Sequence, residues 1–137
     1  MTPSSKRRTI AIFASQVGRA WGAEFIAGIN DAAEALDVNV VHFVGGVLKQ
    51  SRDSKTNAGS FGLYDLAQPA QFDGLILTAD VAYGANADDL RSFRERFGNV
   101  PMVTQSVDLD GASMFIADNA EGMRAEVRHL IEVHGYK

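Results

Sequence analysis

Thr9-Ile-Ala-Ile-Phe-Ala-Ser15 is a continuous apolar run that closes on a small polar residue. That is the pattern of a strand buried on both faces of a parallel sheet. From about Arg19 to Leu36, apolar residues recur at Trp21, Phe25, Ile29, Ala32 and Leu36. Their three- and four-residue steps set them on one face of a helix. Val38 to Val44 is a second strand-like segment, so the stretch as a whole reads strand, helix, strand with a right-handed crossover.

The same alternation continues outward. Gly45 to Ser60 is a long irregular stretch, and a short helix near Phe61 to Ala67 follows it. Loops of this length usually carry function or move. Phe72 to Thr78 reads as the third strand, and Asn86 is placed to cap a helix whose apolar face is Leu90, Phe93 and Phe97. Val100 to Thr104 is the fourth strand, with Pro101 near its start, where a missing ladder donor does least harm. Ser113 to Ala117 is a short last strand. Asp118 and Glu121 then have the spacing of a capping box, before a helix with Met123, Val127, Leu130 and Ile131 on one face and Gly135 past its end.

This order predicts an α/β fold: a doubly wound, mostly parallel five-stranded sheet of order 2-1-3-4-5, a flavodoxin-like single lobe. The expected divisions are a disordered segment over 1–8, the lobe over 9–118 and a crossover helix over 119–137. No linker splits the chain.

Composition narrows the function classes. A chain of 137 residues with 46% hydrophobic content suits one core, burying roughly two thirds of its unfolded surface. A net charge of −4 with interspersed signs lacks the basic stripe that nucleic acid requires. Cysteine is absent, which excludes disulfides, thiol catalysis and cysteine-ligated metal centres. His42, His129 and His134 show no zinc-ligand spacing, and no cofactor is expected. The apolar run Ile10 to Ala14 is too short for a signal-peptide core or a membrane span, so a cytoplasmic location is expected.

In open parallel sheets ligands bind beyond the carboxyl ends of the strands, where loops converge and helix N-termini present free N–H groups. That rule selects Ser15 and Gln16 after the first strand, Gly45-Gly46 after the second, Thr78 and Asp80 after the third, Gln105 and Ser106 after the fourth, and Asp118 and Asn119 after the fifth. All are groups that read hydroxyls. None is a nucleophile beside its base, so the chain is expected not to be an enzyme. Lys49, Arg52 and Lys55 follow the glycine pair, but no phosphate-loop string accompanies them, and a rim loop is the simpler reading. Arg91, Arg94 and Arg96, alternating with Glu95, read as a solvated helix face. His129 and His134 suit the negative end of the last helix dipole without further purpose.

Several stretches together resemble the lac-repressor and periplasmic-binding-protein superfamily, from Arg8 to Lys137. They are the Arg-Arg-Thr-Ile-Ala-Ile start, Trp21 opening a helix with Phe25-Ile-Ala-Gly-Ile, the strands Phe72-Asp-Gly-Leu-Ile-Leu and Val100-Pro-Met-Val, and the Asp118 to Lys137 helix with its His-Leu-Ile-x-x-x-Gly-Tyr-Lys ending. The resemblance implies the N-terminal lobe of a two-lobed sensor, ending after the first helix of the second lobe. It implies ligand contacts at Ser15, Asp80 and Gln105, Trp21 as a stacking ring, and Asp118 near the hinge. Trp21 reads equally as a core residue, and Asp118 as a simple helix cap.

The implied function is the sensing of a small polar, sugar-like metabolite in a transcription regulator, or in the sensory region of a diguanylate cyclase or histidine kinase. A single lobe is expected to bind such a ligand weakly. A homodimer through the lobe or the 119–135 helix is expected, because an apolar stripe in water is an interaction site. A free-standing flavin or receiver protein is the competing reading. Against it, Val17 and Ala20 offer no side-chain donors for a flavin phosphate, and Ala14, Ser15 and Gln16 stand where a receiver carries acidic residues.

Overall fold

The computed structural model describes residues 6–16, 18, 20–48 and 61–137, with the backbone alone at 20, 21, 61 and 62. The elements are β1 (Thr9–Ala14), α1 (Ala20–Ala35), β2 (Asn39–Val44), α2 (Phe61–Asp65), a 3-10 turn (Pro69–Gln71), β3 (Gly74–Leu77), α3 (Ala87–Phe97), β4 (Met102–Gln105), β5 (Ser113–Phe115) and α4 (Asn119–Glu132). The sheet has five strands in the order β2-β1-β3-β4-β5, as the alternation predicts, and every pairing is parallel. All five carboxyl ends therefore share one edge.

Side-chain alternation along the strands divides the burial between two faces. Phe13 lies opposite Phe43 on β2 and Leu77 on β3. With Ala11, Leu75 and Met102 it turns toward α2 and α3. The Phe13 ring is fully buried and meets Phe43, Tyr64, Phe93 and Phe97 at centroid distances of 5.2–5.4 Å. Phe93 and Phe97 come from α3, as its predicted apolar face requires. That helix starts on Asn86, which accepts from the amides of Asp88 and Asp89 at 2.9 Å, while Asp89 accepts from the Asn86 amide at 3.0 Å. This is a complete capping box.

The opposite face carries Ile12, also fully buried. On α1 the inward stripe differs from the expected one. Gly22 and Ala33 are buried and Phe25, Ile26 and Ile29 are half-buried, whereas Ala32 is exposed and Leu36 is 73% exposed. The reason is geometric: positions 22, 25, 26, 29 and 33 hold one face at 3.6 residues per turn. Leu36 lies past the end of α1, in the turn where Asp37 takes a φ of 52°. The side chain of Trp21 lies outside the described residues. Arg7 pairs with Asp37 at 3.1 Å beside this turn.

The three arginines near α3 also depart from a plain solvated face. Arg91 pairs with Asp88 at 2.9 Å, but Arg96 reaches Asp65 at 2.7 Å and the Ala67 carbonyl at 3.1 Å. Arg94 donates to the carbonyls of Gly98 and Gly111. Two of the three therefore tie α3 to the loops around it, which helical spacing alone cannot foresee.

From Ser113 to Lys137 every residue is exposed, including Met123, Val127, Leu130 and Ile131 on α4. Asp118 caps α4 by accepting from the Glu121 amide at 2.9 Å. The Glu121 carboxylate goes to Arg124 at 3.2 Å, so half of the expected box forms. Among the described residues no helix is long and apolar enough to cross a membrane.

Candidate functional site

Parallel strands deliver their polar terminal residues to one rim, and the loops after β1 and β3 are joined there through Asp80. One of its carboxylate oxygens accepts the Ser15 hydroxyl at 2.5 Å and the Ser15 amide at 3.2 Å. The other accepts from the hydroxyl of Thr78, which also lies 2.9 Å from the Phe13 carbonyl. A threonine hydroxyl has a single proton, so its two acceptors share it. Charge-assisted bonds of this kind are among the stronger ones a side chain makes. Asp80 is therefore a loop-closing residue, half-buried at the rim.

Gln105, at the end of β4, brings the next loop to the same edge. Its Oε1 accepts from the Ala79 amide at 3.4 Å. The chain then turns sharply at Ser106, with a φ of 53°, and the Ser106 amide donates to the Phe115 carbonyl at 2.9 Å. Fully buried Thr104 steadies that turn by donating to the Val107 carbonyl at 2.5 Å.

Tyr64, which the chain pattern did not mark, anchors the rim from below. Its hydroxyl lies 3.0 Å from the Ala14 carbonyl and 2.5 Å from that of Gly46, tying α2 to the ends of β1 and β2. Gly46 has a φ of 81°, a left-handed turn that suits glycine. Burial pushes the phenol well above its ordinary value of 10; a backbone hydrogen bond from Gly45 opposes the shift and the Asp80 charge adds to it. Tyr64 thus stays a neutral donor. Its signal is faint in sequence, because its partners lie 50 and 18 residues away.

The sequence-predicted residues separate into groups. Ser15, Asp80 and Gln105 converge and are half-buried, with Thr78 behind them; Gln16 follows on the same rim and is exposed. Asp118 stands apart as the cap of α4, its simpler reading. The Trp21 ring lies outside the described residues, as do Lys49, Arg52 and Lys55.

Chemically, the rim offers a carboxylate, two hydroxyls and a primary amide, a set suited to hydroxyl-bearing ligands. Ser15 is held by a carboxylate, with no imidazole or amine among the partners described. No group of three or more His, Asp or Glu side chains converges among the described residues.

No family model matches the chain, and no curated protein does. Among solved structures, it is similar to the lac repressor dimer bound to operator and the anti-inducer ONPF, with a TM-score of 0.63 and 20% identity. The likeness covers 92% of this chain and 41% of that one, so this chain spans about two fifths of the repressor's length. What the two share is the fold.

Proposed function

We propose that this chain is a ligand-sensing lobe that reads a small polar, sugar-like molecule without chemical turnover, in a transcription regulator or a related signalling protein. One observation carries the reading: the Ser15, Thr78, Asp80 and Gln105 cluster at the shared carboxyl edge of a parallel sheet. The similarity to a repressor structure that holds the anti-inducer ONPF supports it.

Sensing would work by population shift, in which the ligand favours a closed state only by touching both sides of a cleft. The rim described here supplies one side. Binding by the chain alone is therefore weak. The exposed stripe of α4 supports self-association as a homodimer.

Amide-resolved NMR titration with a panel of neutral mono- and disaccharides tests the first point. The expected result is saturable, millimolar-range shifts at Ser15, Gln16, Asp80 and Gln105 for at least one sugar. Submicromolar binding would refute the half-site, and the absence of rim shifts across the panel would refute the sugar reading. Sedimentation tests the second: a stable monomer at high concentration would rule out the dimer.

A further inference from the structure

The end of α4 brings together two residues that spacing does not pair. His129 lies in the last turn of α4, and Gly135 takes a φ of 67° beyond it. There the chain reverses, so that the amides of Gly135 and Tyr136 donate to the carbonyls of Ile131 and Leu130 at 3.1 and 3.2 Å. This is a helix end closed through a left-handed glycine. His134, just before the glycine, is thereby set beside His129. Their ring centroids are 5.0 Å apart, their planes cross at 76°, and the two Nε2 atoms are separated by 3.2 Å. Both side chains are exposed.

Two neutral imidazoles at this distance share one proton between their Nε2 atoms. The same separation is also the bite of two imidazoles on one metal ion. Zinc–nitrogen bonds of about 2.0–2.1 Å at a tetrahedral angle place the nitrogens about 3.3 Å apart. We propose that His129 and His134 form a two-imidazole chelate for a borderline divalent metal such as zinc, with water in the remaining positions.

On binding, the metal takes the place of the shared proton. The ring that carried that proton on Nε2 carries it on Nδ1 instead, so both Nε2 lone pairs face the ion and no net proton is released. Each ring must tilt until the lone pairs meet off the line between the nitrogens. Exposure leaves both free to do so. Imidazole suits zinc, copper and nickel, and affinity at a fixed site rises toward copper. The chelate would also clasp the last turn of α4, fastening the end of a helix on which every residue is exposed.

His42 is the built-in control. It is the third histidine of the chain, half-buried on β2, with its Nε2 engaged by Asn30 at 3.2 Å. The test is titration of the intact chain with zinc chloride in a non-chelating buffer, followed by calorimetry and by imidazole NMR resonances. One saturable event should perturb His129 and His134 and leave His42 in place. Because a chelate needs both rings, His129→Ala and His134→Ala should each weaken binding at least tenfold, nearly as much as the double variant, while His42→Gln binds as the parent does. Circular dichroism confirms that the variants stay folded. Parent-like binding by either single variant, or zinc uptake that leaves both imidazole resonances unmoved, would overturn the proposal.

Discussion

Replacing Asp80 by Ala tests whether the rim is held together by one carboxylate. The substitution removes the acceptor for the Ser15 hydroxyl at 2.5 Å, for the Ser15 amide at 3.2 Å and for the Thr78 hydroxyl. A hydrogen bond to a charged group contributes about 1.5–3 kcal/mol, but not all three losses count in full. Thr78 keeps the Phe13 carbonyl at 2.9 Å, and the rim is open enough for water to reach the Ser15 hydroxyl. The uncompensated part is the half-buried Ser15 amide and the tie between the β1 and β3 loops.

We therefore expect Asp80→Ala to cost about 2 kcal/mol, roughly 30-fold in the folding equilibrium. Asp80→Asn, which keeps one acceptor oxygen in place, should cost about 1 kcal/mol. Urea unfolding measures both as shifts in midpoint with the slope unchanged. Hydrogen exchange at the Ser15 amide should quicken in the Ala variant. An Ala variant within 0.5 kcal/mol of the parent, or an Asn variant that costs as much as Ala, would refute the idea that Asp80 organises the rim.

Other consequences follow from the packing. Phe13→Ala removes a fully buried ring that touches four other aromatic rings, and should cost about 3–5 kcal/mol by urea unfolding. Asn86→Ala strips the cap from two amides at the start of α3 and should cost about 1 kcal/mol in the same assay. His42 gives a pH signature: burial lowers it from its ordinary 6.5, and its buried Nδ1 has no hydrogen-bond partner among the described residues. Around that range the unfolded chain binds the proton more readily than the folded one. Stability should therefore be full above pH 6.5 and fall as pH drops below it. Unfolding midpoints measured from pH 5 to 8 should lose much of that acid slope in His42→Gln.

The succession of strands and helices was legible from sequence because it rests on local pattern. The run from Thr9 to Ser15 is apolar at every interior position, and only a strand covered on both faces tolerates that. Likewise Asn86 and Asp118 announce their helices, since a cap acts within three residues of itself. The rule that ligand groups gather beyond strand ends also pointed to Ser15, Asp80 and Gln105.

Contacts across the chain were not legible. The role of Asp80 as a clasp depends on Ser15, 65 residues away, and Tyr64 reaches Ala14 across 50. Periodicity placed Leu36 on the buried face of α1, but the turn at Asp37 ends the helix first and leaves that side chain in water. Arg96 has the alternation of a surface residue, yet it pairs with Asp65 beside the core.

The sequence by itself determined the α/β alternation and the polar character of the strand-end rim, because these depend on neighbours within a turn or a strand, and the sheet order followed from that alternation through the connection rules of doubly wound parallel sheets. Only the tertiary structure decided which polar groups share protons, which arginines brace α3, and that His129 meets His134 around Gly135. Such pairings depend on distances between parts of the chain that no local period encodes.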